Sequence, residues 1–451
     1  MVVFHSIYKI KAKGVAPTRW TDQQNSVIHQ NPGHTVVYAT PGSGKTAVLT
    51  EHIHQVLNKK FVAPDQILAL TFTRQAAKEM KLRLQRMETS LQRSVESLRI
   101  GTFHSQVFQW LLRQQTSVPQ LLTPLEQRQW IAKAMKITGD KRLRDPRQMT
   151  SVLSRYKSHF PAPTLPQSVQ SLVNRYEIMK RTANRWDFDD ILLVGYRLLT
   201  AHAEAGLHTF PVQYILIDEF QDTNEIQWKI LVRLMAMAKA QIFVVGDDDQ
   251  SIYAFRGSSP HWLLEADKVL PGVTRHELTE NFRSDCCIVS HAAALIHHNQ
   301  KRAEKSWRVH SKESGICQVF YPSDEVVQAK TLSQSIAFDA QANQTIAVLA
   351  RTRQQLVDTY HVIPVLQRSQ AEFRTFHESK GREWDVVHIL DSSRLLRIQG
   401  SPEHAKEEEE RRLFYVAMTR ARRQLQIYSP LIIKGHRSTQ NPFLSEAKFI
   451  P

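Results

Sequence analysis

The segment Ala39-Thr-Pro-Gly-Ser-Gly-Lys-Thr46 constrains this chain more than any other. It follows an apolar run, Val36-Val37-Tyr38-Ala39-Thr40, and opens a stretch with helical periodicity. Strand, glycine-rich turn and helix in that order make a phosphate-binding loop of the pattern G-x-x-x-x-G-K-[ST]. Ala39 stands where the pattern has its first glycine and keeps that position small. Within Pro41-Gly42-Ser43-Gly44, the glycines let backbone N–H groups turn toward phosphate oxygens, and the helix start adds its dipole. Lys45 is placed to reach the β- and γ-phosphates of ATP, and the Thr46 hydroxyl suits Mg²⁺. A chance glycine loop is the competing reading; the flanking strand and helix argue against it.

Short apolar runs recur along the chain, each followed by a polar or helical stretch. They are 36–40, 67–72, 214–217, 241–245, 346–350, 386–390 and 425–428. Such runs predict buried strands of parallel sheets, and their alternation with helical patterns predicts an α/β fold with two cores. Residues 106–185 show no strand run and carry 14 Lys and Arg against 4 Asp and Glu. They predict a helical insertion in the first core, broken at Pro161, Pro163 and Pro166, whose one-sided charge points to nucleic acid rather than to a solvated helical face alone. The expected division is 1–105 and 186–265 for the first core, 106–185 for the insertion and 266–451 for the second core. The run Glu407-Glu-Glu-Glu-Arg-Arg412 reads as the first turns of a helix, where acids suit the dipole.

Charge and cysteine usage narrow the class. A formal net charge of +16 over 451 residues favours an anionic partner. Three cysteines, two of them adjacent (Cys286, Cys287, Cys317), give no disulfide framework and suggest a reducing, cytoplasmic setting. The N-terminus has no apolar stretch before its lysines, so no secretory signal is expected, and no run is long enough to span a membrane.

The run Ile215-Leu-Ile-Asp218-Glu219 ends a strand in two acids. By itself such a pair is commonly a solvated strand end. Beside a phosphate loop it reads as a Mg²⁺-holding carboxylate, Asp218, and a base for the attacking water, Glu219.

With Asp218-Glu-Phe-Gln-Asp-Thr-Asn224 and Val245-Gly-Asp-Asp-Asp-Gln-Ser-Ile-Tyr-Ala-Phe-Arg-Gly257, the chain resembles the superfamily 1 DNA helicases of the UvrD/Rep/PcrA type. Further stretches match in family order: Trp20-Thr-Asp-Gln-Gln24, Leu70-Thr-Phe-Thr-Arg-Gln-Ala-Ala77, Gly101-Thr-Phe-His-Ser105, Asp187-Phe-Asp-Asp190, Glu280-Asn-Phe-Arg-Ser284, Thr375-Phe-His-Glu-Ser-Lys-Gly-Arg-Glu-Trp384 and Tyr415-Val-Ala-Met-Thr-Arg-Ala-Arg422. The resemblance runs from about residue 19 to about residue 445. It implies two RecA-like P-loop NTPase cores with ATP and Mg²⁺ between them. It implies Gln24 as the adenine reader, Gln250 as the γ-phosphate sensor, Arg283 and Arg420 as arginine fingers from the second core, Glu383 as a ribose contact and Phe282 in place of a nucleotide-side tyrosine. It implies that Phe72, Phe103, Tyr253 and Phe255 line a single-strand path, with His104, Arg256 and His377 on the DNA backbone. Aromatics after strands are more often core than platform, and among these four Phe255 carries the resemblance best.

The chain departs from that pattern in places. Ala47 stands where many relatives have Arg, Arg382 where they have Leu, and Arg74-Gln75 where they have Asn-Lys. Only 24 residues, 351–374, lie where relatives insert the 2B subdomain, and the chain is expected to end soon after the second core. The resemblance therefore implies a compact 3′→5′ DNA helicase or translocase acting on single-stranded DNA and 3′-tailed duplex. A second reading is a motor subunit for a nuclease, repair or anti-phage partner that unwinds weakly alone. A catalytically silent nucleic-acid-binding module is a third; the intact Lys45, Asp218, Glu219, Gln250, Arg283 and Arg420 argue against it. No membrane role is expected.

Overall fold

The computed structural model describes residues 20–87, 95–114, 118–140, 143–160, 162–390 and 403–450. Two parallel sheets organise it. The first contains β1 (Thr35–Ala39), β2 (Ile67–Thr71), β3 (Arg99–Thr102), β4 (Tyr214–Ile217), β5 (Gln241–Gly246) and β6 (Thr274–Leu278), in the order β3-β2-β4-β5-β1-β6. The second contains β7 (Ile316–Phe320), β8 (Ile346–Ala350), β9 (Glu372–Thr375), β10 (Trp384–Ile389) and β11 (Ala421–Tyr428), in the order β7-β11-β10-β8-β9. All pairings within both sheets are parallel. The inner strands β1, β2, β4 and β8 are buried along their whole length, because helices cover both faces. The two apolar layers of the first sheet gather around Leu68, Ile215 and Val244 on one side and around Val37, Ile53 and Phe243 on the other.

Two expected boundaries move. β6 lies beyond residue 266, yet it pairs with β1 from Thr35↔Thr274 to Ala39↔Leu278, so the first core extends to residue 278. The helix Phe103–Gln114 belongs to the first core rather than to the insertion: Val107, Trp110 and Leu111 lie in that core. The insertion starts and ends where Gln120–Leu121 pairs in parallel with Arg185–Trp186. Between them, the helices Pro124–Thr138, Pro146–Ser158 and Gln167–Thr182 share a small core around Ile131, Leu153 and Tyr176.

The insertion is anchored by buried charge. Asp187 caps the helix Phe188–Glu204 in a capping box with Asp190. Lys157 donates to Asp187 and Asp190 at 2.7 Å each, and Lys180 donates to the same two carboxylates at 2.9 and 2.5 Å. These two of the insertion's cations are thus neutralised inside the fold. Lys141, Arg142 and Pro161 lie outside the described residues.

Candidate active site and strand track

The loop after β1 is built for close approach. Gly42 and Gly44 have φ of 69° and 82°, a region costly for residues with a Cβ. A Cβ on Gly42 would also sit 2.7 Å from the Arg283 Cβ. The helix Lys45–Asn58 starts at this loop, with Lys45 buried at its first turn. Gln24, locked in a capping box with Thr21, donates from Nε2 to the Ser43 carbonyl at 3.1 Å. Asn281 donates to the Pro41 carbonyl at 2.8 Å and the Phe282 N–H donates to the Gly42 carbonyl at 2.9 Å, so the residues after β6 brace the loop from the other side.

The two acids stand at the end of β4. The Thr46 hydroxyl donates to Asp218 Oδ2 at 2.6 Å. Burial, and then the neighbouring Glu219, push the Asp218 carboxyl up to about 6. Glu219 goes the other way: burial opposes its ionisation, but Lys45, Lys380 and the Gln221 amide outweigh it and hold the carboxyl below its ordinary value. Gln221 donates to Glu219 Oε2 at 2.5 Å while its own Oε1 accepts from the Asp247 N–H at 3.0 Å. Glu219 has φ 55°, an unusual conformation for a residue with a side chain.

The second core closes the site. Arg420 is fully buried at the end of the helix Glu403–Met418. Its guanidinium donates to the carbonyls of Val416 at 2.8 Å and Arg382 at 3.3 Å, to the Thr419 hydroxyl at 3.1 Å and to Gln250 Oε1 at 3.2 Å. Burial and the nearby Arg283 lower its pKa to about 9, so it stays charged at neutral pH. Arg283 donates to Glu383 at 2.5 Å and to the Thr419 carbonyl at 3.1 Å. Glu383 also pairs with Arg422, and against burial these two arginines hold its carboxyl down to about 2. A cavity of about 850 Å³ opens between the cores. The phosphate loop, Asp218, Glu219 and Gln250 line it from one side, and Arg283, Glu383 and Arg420 from the other, with Phe282 at its edge.

Lys380 also lines this cavity and was not singled out by the sequence. It donates to Asp222 at 2.5 Å and to the Gln250 carbonyl at 2.8 Å, and its ammonium lies 5.0 Å from the Tyr253 ring centre. Lys380 lies in the Thr375–Trp384 motif and Asp222 in the Asp218–Asn224 motif, so the sequence marks their positions but not their roles. Phe188, 45% exposed and stacked on His104 at 4.0 Å, was also missed; it is the sole aromatic of the Asp187–Asp190 stretch.

The expected track residues divide. Phe72 stacks on Tyr253 at 4.9 Å, Tyr253 meets Phe255 at 6.0 Å, and His377 stands edge-on to Phe255 at 5.5 Å. Arg256 lies over both Tyr253 and Phe255. Phe255 is 40% exposed and offers a face. Phe103 does not: it is 7% exposed within the first core, because the helix it starts packs on the sheet. Burial lowers His377 to about 4 and His104 to about 3, so both rings are neutral at pH 7 and offer no cation to a strand backbone. Phe72 and Tyr253 line the same cavity as the phosphate loop, so stack and nucleotide site adjoin.

Comparison with known proteins identifies the family. Residues 20–271 match the model of the UvrD/REP helicase N-terminal domain, and residues 361–430 match that of the UvrD-like helicase C-terminal domain. YjcD of Bacillus subtilis (strain 168) is 33% identical over 348 residues, covering 74% of this chain and 46% of that protein. The ATP-dependent DNA helicase PcrA of Staphylococcus epidermidis (strain RP62A) is 31% identical over 306 residues, covering 64% of this chain and 41% of that protein. PcrA of Staphylococcus aureus (strain Mu50) is 31% identical over 299 residues, covering 63% and 40%. The chain thus spans less than half the length of these relatives. Its first core, its insertion and the motifs around its cleft place it in one group with them: the chain belongs to the UvrD/REP helicase family.

Proposed function

We propose that this chain is an ATP-dependent DNA helicase or translocase that moves 3′→5′ along single-stranded DNA. One observation carries the reading. A phosphate loop with two acids and a pair of arginines from the opposite core face one cavity, and that cavity adjoins a stack of aromatic rings. The polarity follows from the family resemblance.

The chemistry follows from the side chains. The loop N–H groups and Lys45 hold the phosphates of ATP, and Gln24 braces the loop beside them. Thr46 and Asp218 present two hard oxygens 2.6 Å apart, a donor set that fits Mg²⁺, which keeps most of its sites for water and phosphate. Held by Thr46 and Asp218, the ion would neutralise phosphate charge. Glu219, kept ionised by Lys45 and Lys380, accepts the proton of the attacking water. Arg283 and Arg420 stabilise charge on the transferring group, with Gln250 aligned by its bond to Arg420. Lys380 bonds Asp222 and the Gln250 carbonyl while covering Tyr253, so relative movement of the cores is passed to the stack. Phe72, Tyr253 and Phe255 hold bases by stacking, worth about 1–3 kcal/mol per base and independent of sequence. The division of labour is a first core to residue 278 that carries an inserted helical unit at 120–186, and a second core after residue 278, in a cytoplasmic protein. No helix among the described residues is long and apolar enough to cross a membrane.

A second reading, a strand-tracking motor that unwinds weakly without a nuclease or repair partner, is favoured by residues 351–374. They hold only the helices Arg353–Val362 and Val365–Gln370 before β9, with no separate domain to grip duplex. Strand displacement on 3′-tailed, 5′-tailed and blunt duplexes, with ATP hydrolysis measured in parallel, tests both. Unwinding of 3′-tailed duplex supports the first reading, and DNA-stimulated hydrolysis with little unwinding supports the second. Hydrolysis indifferent to DNA would contradict both.

A further inference from the structure

Asp247, Asp248 and Asp249 follow β5 directly, and all three are buried. Such a trio would suit a cation. The Lys305 ammonium takes that place: it lies 2.7 Å from Asp247 Oδ1, 2.7 Å from Asp248 Oδ1 and 2.9 Å from Asp249 Oδ2, with its side chain wholly buried. Arg302 adds a bidentate pair to Asp249 at 3.1 and 2.9 Å, and the Ala303 N–H donates to Asp248 at 2.8 Å. Residues 299–305 thus form a strap on the first core. The strap's other end is fixed to the second core. Asn299 donates to the Glu408 carbonyl, the Gln300 N–H to the Glu408 carboxylate at 2.8 Å, and Arg412 to the Lys301 carbonyl at 2.8 Å. Glu408 and Arg412 lie on the helix that leads to Arg420.

The carboxylate of Asp247 is the link to the site. One oxygen receives Lys305; the other accepts from Gln250 Nε2 at 2.6 Å. An ionised carboxylate only accepts, so it fixes which end of the Gln250 amide faces it and turns Oε1 toward Arg420. Without the ammonium, three buried carboxylates would share the remaining Arg302, and a charge that loses its partner there takes up a proton or moves. A protonated Asp247 can donate as well as accept, so the amide loses one of the two one-way contacts that fix it and is held by Arg420 alone.

We infer that Lys305 is a positioning residue for ATP hydrolysis: through Asp247 it holds the Gln250 amide in the orientation in which it meets Arg420. This rests on the proposed reading of the cleft as an ATP-hydrolysing site. Lys305 itself is not among the residues that line the cavity.

The test is a double-mutant cycle on the full chain, with Lys305→Met, Gln250→Ala and the two combined. ATP hydrolysis is measured with saturating single-stranded DNA and Mg²⁺, and binding stoichiometry and affinity with a fluorescent ATP analogue. Lys305→Met is expected to lower kcat about 30-fold, in the range of a lost transition-state contact, with one site per chain and affinity within about threefold. In the Gln250→Ala background the same change should alter kcat less than about threefold, because its route is already cut. An equal loss in both backgrounds, or an unchanged kcat for Lys305→Met, would overturn the inference. If Lys305→Met does not fold, Lys305→Met with Asp248→Asn, which rebalances the buried charge, carries the same comparison. A wild-type chain that binds the analogue but hydrolyses no ATP would instead sink the functional reading beneath it.

Discussion

Glu219 receives Gln221 from its own core, while Lys45 and the second core's Lys380 supply the positive charge that keeps it ionised. Glu219→Gln keeps the shape and removes the base. Steady-state hydrolysis should fall by about 100-fold or more with nucleotide affinity little changed; turnover at the wild-type rate would remove Glu219 from the role of base. Arg420 uses its planar fork on four acceptors at once. Arg420→Lys should therefore cost about 10- to 100-fold in kcat despite keeping the charge, since a single ammonium cannot span them. Phe255→Ala should lower distance travelled per ATP more than affinity for single strands; equal stepping with equal affinity would return Phe255 to a packing role. Residues in fixed-spacing motifs were legible at this scale, because Lys45, Thr46, Asp218 and Gln250 are set by short turns next to strands. Lys305 was not: its three partners lie more than 50 residues away and nothing local marks it. Phe103 was misplaced because a motif says that a ring is near the path, not which way it faces.

The inner strands were readable as apolar runs, and the four strands that were not, β3, β6, β7 and β9, are the edges of the two sheets. An edge strand has one flank toward water, so Thr274-Arg-His-Glu-Leu278 carries no apolar run and shows its pairing only in the structure. The insertion's charge was legible as a sum but not as a surface. Lys157 and Lys180 are spent on Asp187 and Asp190, whereas Arg147 and Arg155 stand exposed along one face of the helix Pro146–Ser158. That helix reaches the aromatic stack, since a Cβ on Gly257 would meet Ser158 Oγ. Reversing Arg147 and Arg155 to Glu should weaken single-strand binding and flatten its salt dependence by about one unit of slope per lost phosphate contact; an unchanged slope assigns the face to solubility. The helix Lys45–Asn58 is tied by His52, which bonds the Ile28 carbonyl at 3.0 Å and the Tyr214 hydroxyl at 2.8 Å. Burial pushes His52 down to about 4. Between 6.5 and about 4 the unfolded chain takes up a proton that the folded ring refuses, so this group lowers stability as pH falls through that window. An NMR titration of its ring should show a midpoint near 4 rather than near 6.5.

At the scale of the whole molecule, two parallel-sheet cores meet across one cleft, and the contacts that cross it differ in kind. Arg420 to Gln250 and Lys380 to Asp222 lie in the cleft itself, while the strap at 299–305 joins the cores behind it through buried charge. The cleft contacts are those that nucleotide would rearrange, and Tyr253 and Phe255 sit within three to five residues of Gln250 on the same segment. With only two short helices between β8 and β9, nothing at that point folds back over the cores. Movement on single strands should therefore need no rearrangement there. The most direct measurement is displacement of streptavidin from biotin placed at either end of a single-stranded oligonucleotide, with ATP and Mg²⁺. ATP-dependent release from the 5′ end, absent at the 3′ end and abolished by Lys45→Ala, is the predicted result. Release from the 3′ end, or none from either end while DNA still stimulates hydrolysis, would contradict it.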